Sequence, residues 1–362
     1  MGNSGEKLPR SELRSVTDNG RLEILHRMRN TLVHAWDARG LIVSRKNAFY
    51  CINNLSKPRL ELLGRIRWSP RQWPAHVRLV DRVLKYSLLQ VLATRSGRWL
   101  VADGHRFWCV DPDGAAKLIP RFSATRPMNR GFCETADGVV YVADYVPNLA
   151  RLEPIRIYAS TDLLHFEPVW EFAPGEIRHV HSLIPDPGGR RVWVLTGDLD
   201  HESRILYTDD SFSSLETFLA AGQQTRATDL VIHNGRVMWG MDSPLETSWI
   251  YEALVDNPLC YRRRYELPGP AYYTARNEAG GLYLGTTVEP GPAVRDHYGR
   301  IFGTDPQGEW REIHRRRDDL FPQYGIFYFP RGCLPENYLV FSQRALSPDE
   351  GFLTIARDRA WQ

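Results

Sequence analysis

Apolar and polar residues alternate in short runs along this chain, and the runs are rich in Val, Ile, Tyr, Trp and Phe. Gly, Pro, Asp and Asn interrupt them, as in "HVHSLIPDPGG", "RVWVLTGD" and "HNGRVMWGM". A two-residue period sends successive side chains to opposite faces, so each run predicts a half-buried β-strand. Helical spacing is scarce. The exception is "PAHVRLVDRVLKYS", where Val77, Val80, Val83 and Leu84 share one face behind Pro74 and predict a short helix at about 74–86.

One kind of run recurs at a near-constant interval. "NAFYCINN", "RFWCVDPDG", "IRIYASTDLL", "SRILYTDDSF", "SWIYEALVDN", "GRIFGTDPQG" and "GFLTIARD" each carry a strand into a turn. Their apolar anchors are Phe49, Phe107, Ile157, Ile205, Ile250, Ile301 and Leu353, separated by 58, 50, 48, 45, 51 and 52 residues. Each period holds four strands, so the pattern predicts an all-β, seven-bladed β-propeller of four-stranded antiparallel blades. The last unit shows only three strands. "GRLEILHRM" at 20–28 is expected to close it, giving a tail at 1–19 and one propeller domain at 20–358.

Composition narrows the function classes. The net charge is +3 with 25% charged residues, and the "RRR" runs at 262–264 and 315–317 are too short for a nucleic-acid arm, so no nucleic-acid partner is expected. No apolar run approaches the roughly 18 residues of a membrane span. The first residues show no apolar leader, and the five cysteines lie far apart without a C-x-x-C pair. A reduced, cytoplasmic protein is the expectation.

The turns after three of the recurring strands resemble the Asp-box, the S-x-D-x-G-x-x-W hairpin of sialidase-like propellers. Ser160 and Asp162 match its first half, Thr208 and Asp210 do so with Thr for Ser, and Asp305 with Trp310 keeps the Asp-to-Trp interval. The glycine is missing in all three. In that superfamily the turn stabilises the fold away from the active site, so the resemblance implies architecture rather than chemistry.

In such blades the first strand lines the channel and the second runs back beside it, so first-strand starts and second-strand ends share one mouth. "RGFCE", "RHVHS" and "RATDL" place Arg130, Arg178 and Arg226 at intervals of 48 residues, a candidate clamp for a carboxylate, sulfate or phosphate. Further along these strands stand His179, His181 and Asp229; Tyr272, Tyr273 and Tyr324 occupy the matching places in later units. Second strands end at Asp103, Asp144, Asp198, Asp242 and Gln343. An acid in that place also serves simply as a turn residue.

This mixture suits a polar, anionic saccharide. The expected function is a glycoside hydrolase or polysaccharide lyase. In a hydrolase two of Asp198, Asp229 and Asp242 would supply acid and base or nucleophile; in a lyase His181 or Tyr273 would move the proton. Arg130, Arg178, Arg226, His179, Tyr272, Tyr324 and Asp144 would bind substrate. No cofactor is expected. A divalent metal at His179 and His181 would need Asp198, Asp200 or His201 as partners, and no specific ligand spacing is present. The alternatives are a non-catalytic scaffold or glycan-binding propeller, and a polysaccharide-biosynthesis protein handling phosphorylated sugars.

Overall fold

A computed structural model of the chain describes residues 20–67, 89–104, 106–122, 127–186, 189–319 and 324–362. The tail 1–19 and the helix expected at 74–86 lie outside the described residues. The rest is seven antiparallel blades around a channel, with almost no helix. No helix among the described residues is long and apolar enough to cross a membrane.

Blade 4 shows how the sequence builds one unit. His179–Pro185 lines the channel, Val192–Gly197 runs back beside it, Arg204–Thr208 returns, and Glu216–Leu219 forms the outer edge. The second strand is buried at every position because the blade faces on both sides are covered by neighbouring blades. The outer strand instead exposes Glu216 and Thr217. All seven recurring anchors sit in third strands at 2% exposure or less, and burying each is worth roughly 1.5–3 kcal/mol.

Ring closure follows the expected route. Leu22–Arg29 pairs with Phe352–Asp358, outside Tyr338–Arg344 and the innermost Ile326–Tyr328. Arg21 clamps the junction, its Nε and Nη2 each donating at 2.7 Å to a different oxygen of the buried Asp358. Blade 7 meets blade 1 through Ser342, whose hydroxyl accepts from Val33 N–H at 2.9 Å and donates to Thr31 C=O at 3.0 Å.

The Asp-containing turns follow the third strands, at the end of the blades away from the first-strand starts. Asp162 accepts from Leu164 and His165 N–H, Asp210 from Ser214 N–H, and Asp305 from Gln307 and Glu309 N–H. Where the glycine is missing, Phe212 takes φ 69° and is held there by burial against Tyr141, ring centroids 5.0 Å apart.

Glycine has a structural use at the blade 5–blade 6 contact. A Cβ on Gly240 would collide with Ala271 and Leu284. Gly240→Ala is therefore expected to destabilise the fold by about 1–3 kcal/mol, read as a lower urea midpoint at unchanged slope.

Candidate functional site

Asp198 follows the second strand of blade 4 and is the hub of one channel mouth. Arg178 Nη1 donates to its Oδ2 at 2.6 Å, and Arg226 Nη2 lies 3.4 Å from its Oδ1. His179 Nε2 and His181 Nε2 stand 3.7 and 3.4 Å from the same carboxylate. A strict two-residue alternation already puts both histidines on one face. The register shift between Val180 and Ser182 adds a bulge at His181, which re-aims its ring. His181 Nδ1 is 2.9 Å from Ala227 C=O, and its Nε2 is 3.0 Å from His179 Nε2.

Other groups surround the hub. Tyr145 packs on His179 with ring centroids 4.2 Å apart. Tyr272 donates to Glu289 across a long 3.5 Å contact. Asp242 is buried; its Oδ2 is 3.7 Å from Arg226 Nε, and its Oδ1 has no hydrogen-bond partner. Glu202, fully buried, holds the assembly from behind. It takes Arg151 Nε at 2.6 Å and the backbone N–H groups of Arg178 and Asp198, each at 3.3 Å.

The carboxyl groups of this mouth are driven to opposite charge states. Burial opposes the charge on Asp198, but His181, His179 and Arg226 outweigh it and hold the carboxyl well below the usual range. Asp242 is pushed well above it by burial, against the pull of Arg226 and with added repulsion from Glu289 and Asp198. Glu289 is raised by burial in the same way, with Arg226 opposing and Asp198 reinforcing. Burial and His181 lower the pKa of His179, so its ring is neutral. The Tyr145 phenol is pushed up to about 12 and that of Tyr272 well above its ordinary value, burial being the largest cause for both.

The three arginines do not form one clamp. Arg178 and Arg226 meet at Asp198, whereas Arg130 lies deeper in the channel, its Nε 3.1 Å from Asp229 Oδ2 and its Nη2 3.2 Å from Thr274 and Phe329 C=O. The physical reason lies in the turns. The last pairs before them are Thr135–Val139, Asp186–Arg191 and His233–Arg236, so equal chain intervals give unequal heights, and Arg130 bridges Ser182. Tyr273 is buried between the layers, stacked on Tyr328 at 5.4 Å and with the Arg130 guanidinium 5.7 Å from its ring. Asp144 is buried and accepts from Arg156 N–H and Tyr158 O–H on its own blade. Tyr324 stands 44% exposed before blade 7, outside the hydrogen bonds around Asp198. Arg130 and Asp229 also border a cavity of about 310 Å³ that runs towards the opposite mouth, past Glu134, Asp186 and Arg276.

Tyr145, Glu202 and Glu289 are site residues that the repeat reading passed over. Tyr145 and Glu289 follow second strands, as Asp198 and Asp242 do, and Glu289 comes 47 residues after Asp242. That interval was a usable signal. Among the described residues, the groups able to hold a metal are His179, His181 and Asp198, which each offer one ligand atom within 4.8 Å of the others.

No protein-family model and no curated protein matches this chain. Solved structures do. The AfRom2 CNH domain is similar at 10% identity and TM-score 0.51, with 93% of this chain and 98% of that one covered. A structure from a mechanistic study of two prolyl endopeptidases aligns at 11% identity and TM-score 0.51, covering 91% of this chain and 50% of that one. This chain thus spans about half the endopeptidase's length. A putative TolB from Agrobacterium tumefaciens aligns at 13% identity and TM-score 0.46, over 75% of this chain and 90% of its own. The first two likenesses support the β-propeller fold and not the sialidase-like superfamily in particular, since identity this low speaks to architecture alone.

Proposed function

We propose that this protein is a carbohydrate-active enzyme that cleaves an anionic glycan by acid–base chemistry at the Asp198 mouth. The observation that carries the reading is the pair of opposite charge states held in one place. Asp198 is held towards its ionised form, while Asp242 and, in the same direction, Glu289 are shifted towards the protonated form. Environments that push neighbouring carboxyl groups apart are how one site supplies both a proton donor and a fixed negative charge.

Glycosidic bond cleavage needs that pairing: a carboxylic acid to protonate the leaving oxygen, and negative charge to oppose the oxocarbenium character at the sugar carbon. Glu289 is the donor in this reading, because it is half-buried and open to the mouth while Asp242 is closed off. Arg178 and Arg226 hold the substrate's acidic group with the N–H groups that Asp198 leaves unused; each guanidinium has five. Tyr145 and Tyr272 border the mouth beside His179 and Glu289. Asp229, saturated by Arg130, Thr274 and Leu230, keeps a structural place beneath them.

The test is turnover on a panel of uronate-, sialate- and sulfate-bearing oligosaccharides, followed by product mass. Hydrolysis adds one water per bond cut, whereas elimination leaves an unsaturated product. Turnover lost in Arg226→Met and kept in Asp144→Asn supports the reading. Binding without turnover across the panel sinks the enzyme and leaves a glycan-binding propeller.

A further inference from the structure

We infer that His179, His181 and Asp198 bind a divalent transition metal ion of the zinc class. The inference goes beyond the acid–base reading and does not rest on it.

The geometry points to a cation-binding cluster. His181 Nδ1 sits 2.9 Å from the Ala227 carbonyl, so Nδ1 carries the hydrogen and Nε2 presents a lone pair. That lone pair faces His179 Nε2 at 3.0 Å, in rings that are each 2% exposed. If His179 carries its hydrogen on Nε2, it donates to His181, and its buried Nδ1 is left without a hydrogen-bond partner. If it carries the hydrogen on Nδ1, two lone pairs confront each other. With both rings neutral, either tautomer leaves a buried polar atom unsatisfied, which native interiors avoid unless a metal ion or a shared proton lies between the nitrogens.

A cation where the two nitrogens and the carboxylate converge removes both problems. The nitrogens are 3.0 Å apart; Asp198 Oδ1 is 3.4 Å from His181 Nε2, and its Oδ2 is 3.7 Å from His179 Nε2. Ligands about 2.0–2.2 Å from a tetrahedral zinc ion stand roughly 3.3–3.6 Å from one another, so on binding the two nitrogens part slightly and one carboxylate oxygen turns towards the ion. Two imidazoles with one carboxylate is a donor set for zinc and its neighbours rather than for magnesium or calcium. The backbone carbonyl on His181 Nδ1 is the outer-shell partner that fixes a ligating ring. Asp198 can serve the metal and its arginines together, since a carboxylate offers about four lone-pair positions and Arg178 and Arg226 use two. A fourth position remains for water or a substrate oxygen. In a filled site Asp198 is a ligand, its charge is offset by the ion, and the support it lends to the raised Glu289 is withdrawn.

The experiment strips the full-length protein with a chelator and titrates it with Zn²⁺ in the absence of substrate, with metal content read by mass spectrometry. One Zn²⁺ per chain is expected, with affinity lowered at least about 100-fold in His179→Gln and in His181→Gln. Cys260→Ser, at an exposed thiol, should leave the stoichiometry unchanged. Co²⁺ substitution of the wild-type protein gives a readout that needs no variant: visible bands of nitrogen and oxygen ligation, without sulfur charge transfer. Substoichiometric binding, or a full equivalent that survives both histidine substitutions, overturns the inference. In that case a shared proton joins the two rings.

Discussion

Asp229→Ala is expected to destabilise the fold by roughly 3–5 kcal/mol, the size of loss seen when one partner of a buried ion pair is removed. Both Asp229 and Arg130 are 4% exposed. Asp229 Oδ2 accepts from Arg130 Nε at 3.1 Å, Thr274 N–H at 2.9 Å and Thr274 Oγ1 at 3.0 Å, while Oδ1 accepts from Leu230 N–H at 3.0 Å. Deleting the carboxylate strands a guanidinium whose other hydrogen bonds go to two carbonyls at 3.2 Å, with the Arg331 guanidinium close enough to repel it. It also frees three donors in the middle of the channel, and buried donors without acceptors are costly. Arg130→Met combined with Asp229→Leu should recover most of the loss, because the pair's desolvation cost disappears with the charges. Urea midpoints of the two single variants and the double variant measure the coupling directly. A single-variant loss under about 1 kcal/mol would mean that the cavity beside Arg130 supplies another counter-charge or water.

This pair also shows where the sequence stopped being readable. The propeller was legible because each blade repeats one physical demand: a third-strand anchor buried between neighbours, from Phe49 round to Leu353. Closure by residues 20–28 was legible because the seventh unit lacked an outer strand. The site needed heights along the channel, and chain intervals do not report heights when turns differ in length and a bulge intervenes at His181. Arg130 therefore matched Arg178 and Arg226 in spacing while belonging with Asp229 one layer down. Glu289 had only its 47-residue interval from Asp242 to mark it. It lies in the loop between Leu282–Thr286 and Tyr298–Thr304, where no strand pattern marks its place. Charge states were beyond local reading altogether. Asp198 and Asp242 both end second strands, and only the groups packed around each separate an ionised carboxyl from a protonated one.

Glu289→Gln is expected to lower kcat by about 10²–10⁴, the range over which a positioned proton donor acts. The amide keeps the shape and the contact to Tyr272, so binding should change far less than turnover, and KM should stay close to the wild-type value. The pH profile separates this from a structural effect. Burial raises the folded pKa of Glu289, and Asp198 adds to the shift against Arg226. A donor works while protonated, so activity is present below that raised pKa and falls as pH climbs through it. Asp198 is held ionised to well below the usual carboxylate range, so it adds no acid-side loss under mildly acidic conditions. The wild-type profile of kcat/KM should therefore show a basic limb that is absent from the residual activity of Glu289→Gln. Asp242→Asn tests the other carboxyl whose pKa is raised. Being closed off from the mouth, it should weaken turnover less and leave the basic limb in place. Should Glu289→Gln keep both its kcat and its basic limb, Glu289 is not the donor. A limb lost only in Asp242→Asn would move that role to Asp242.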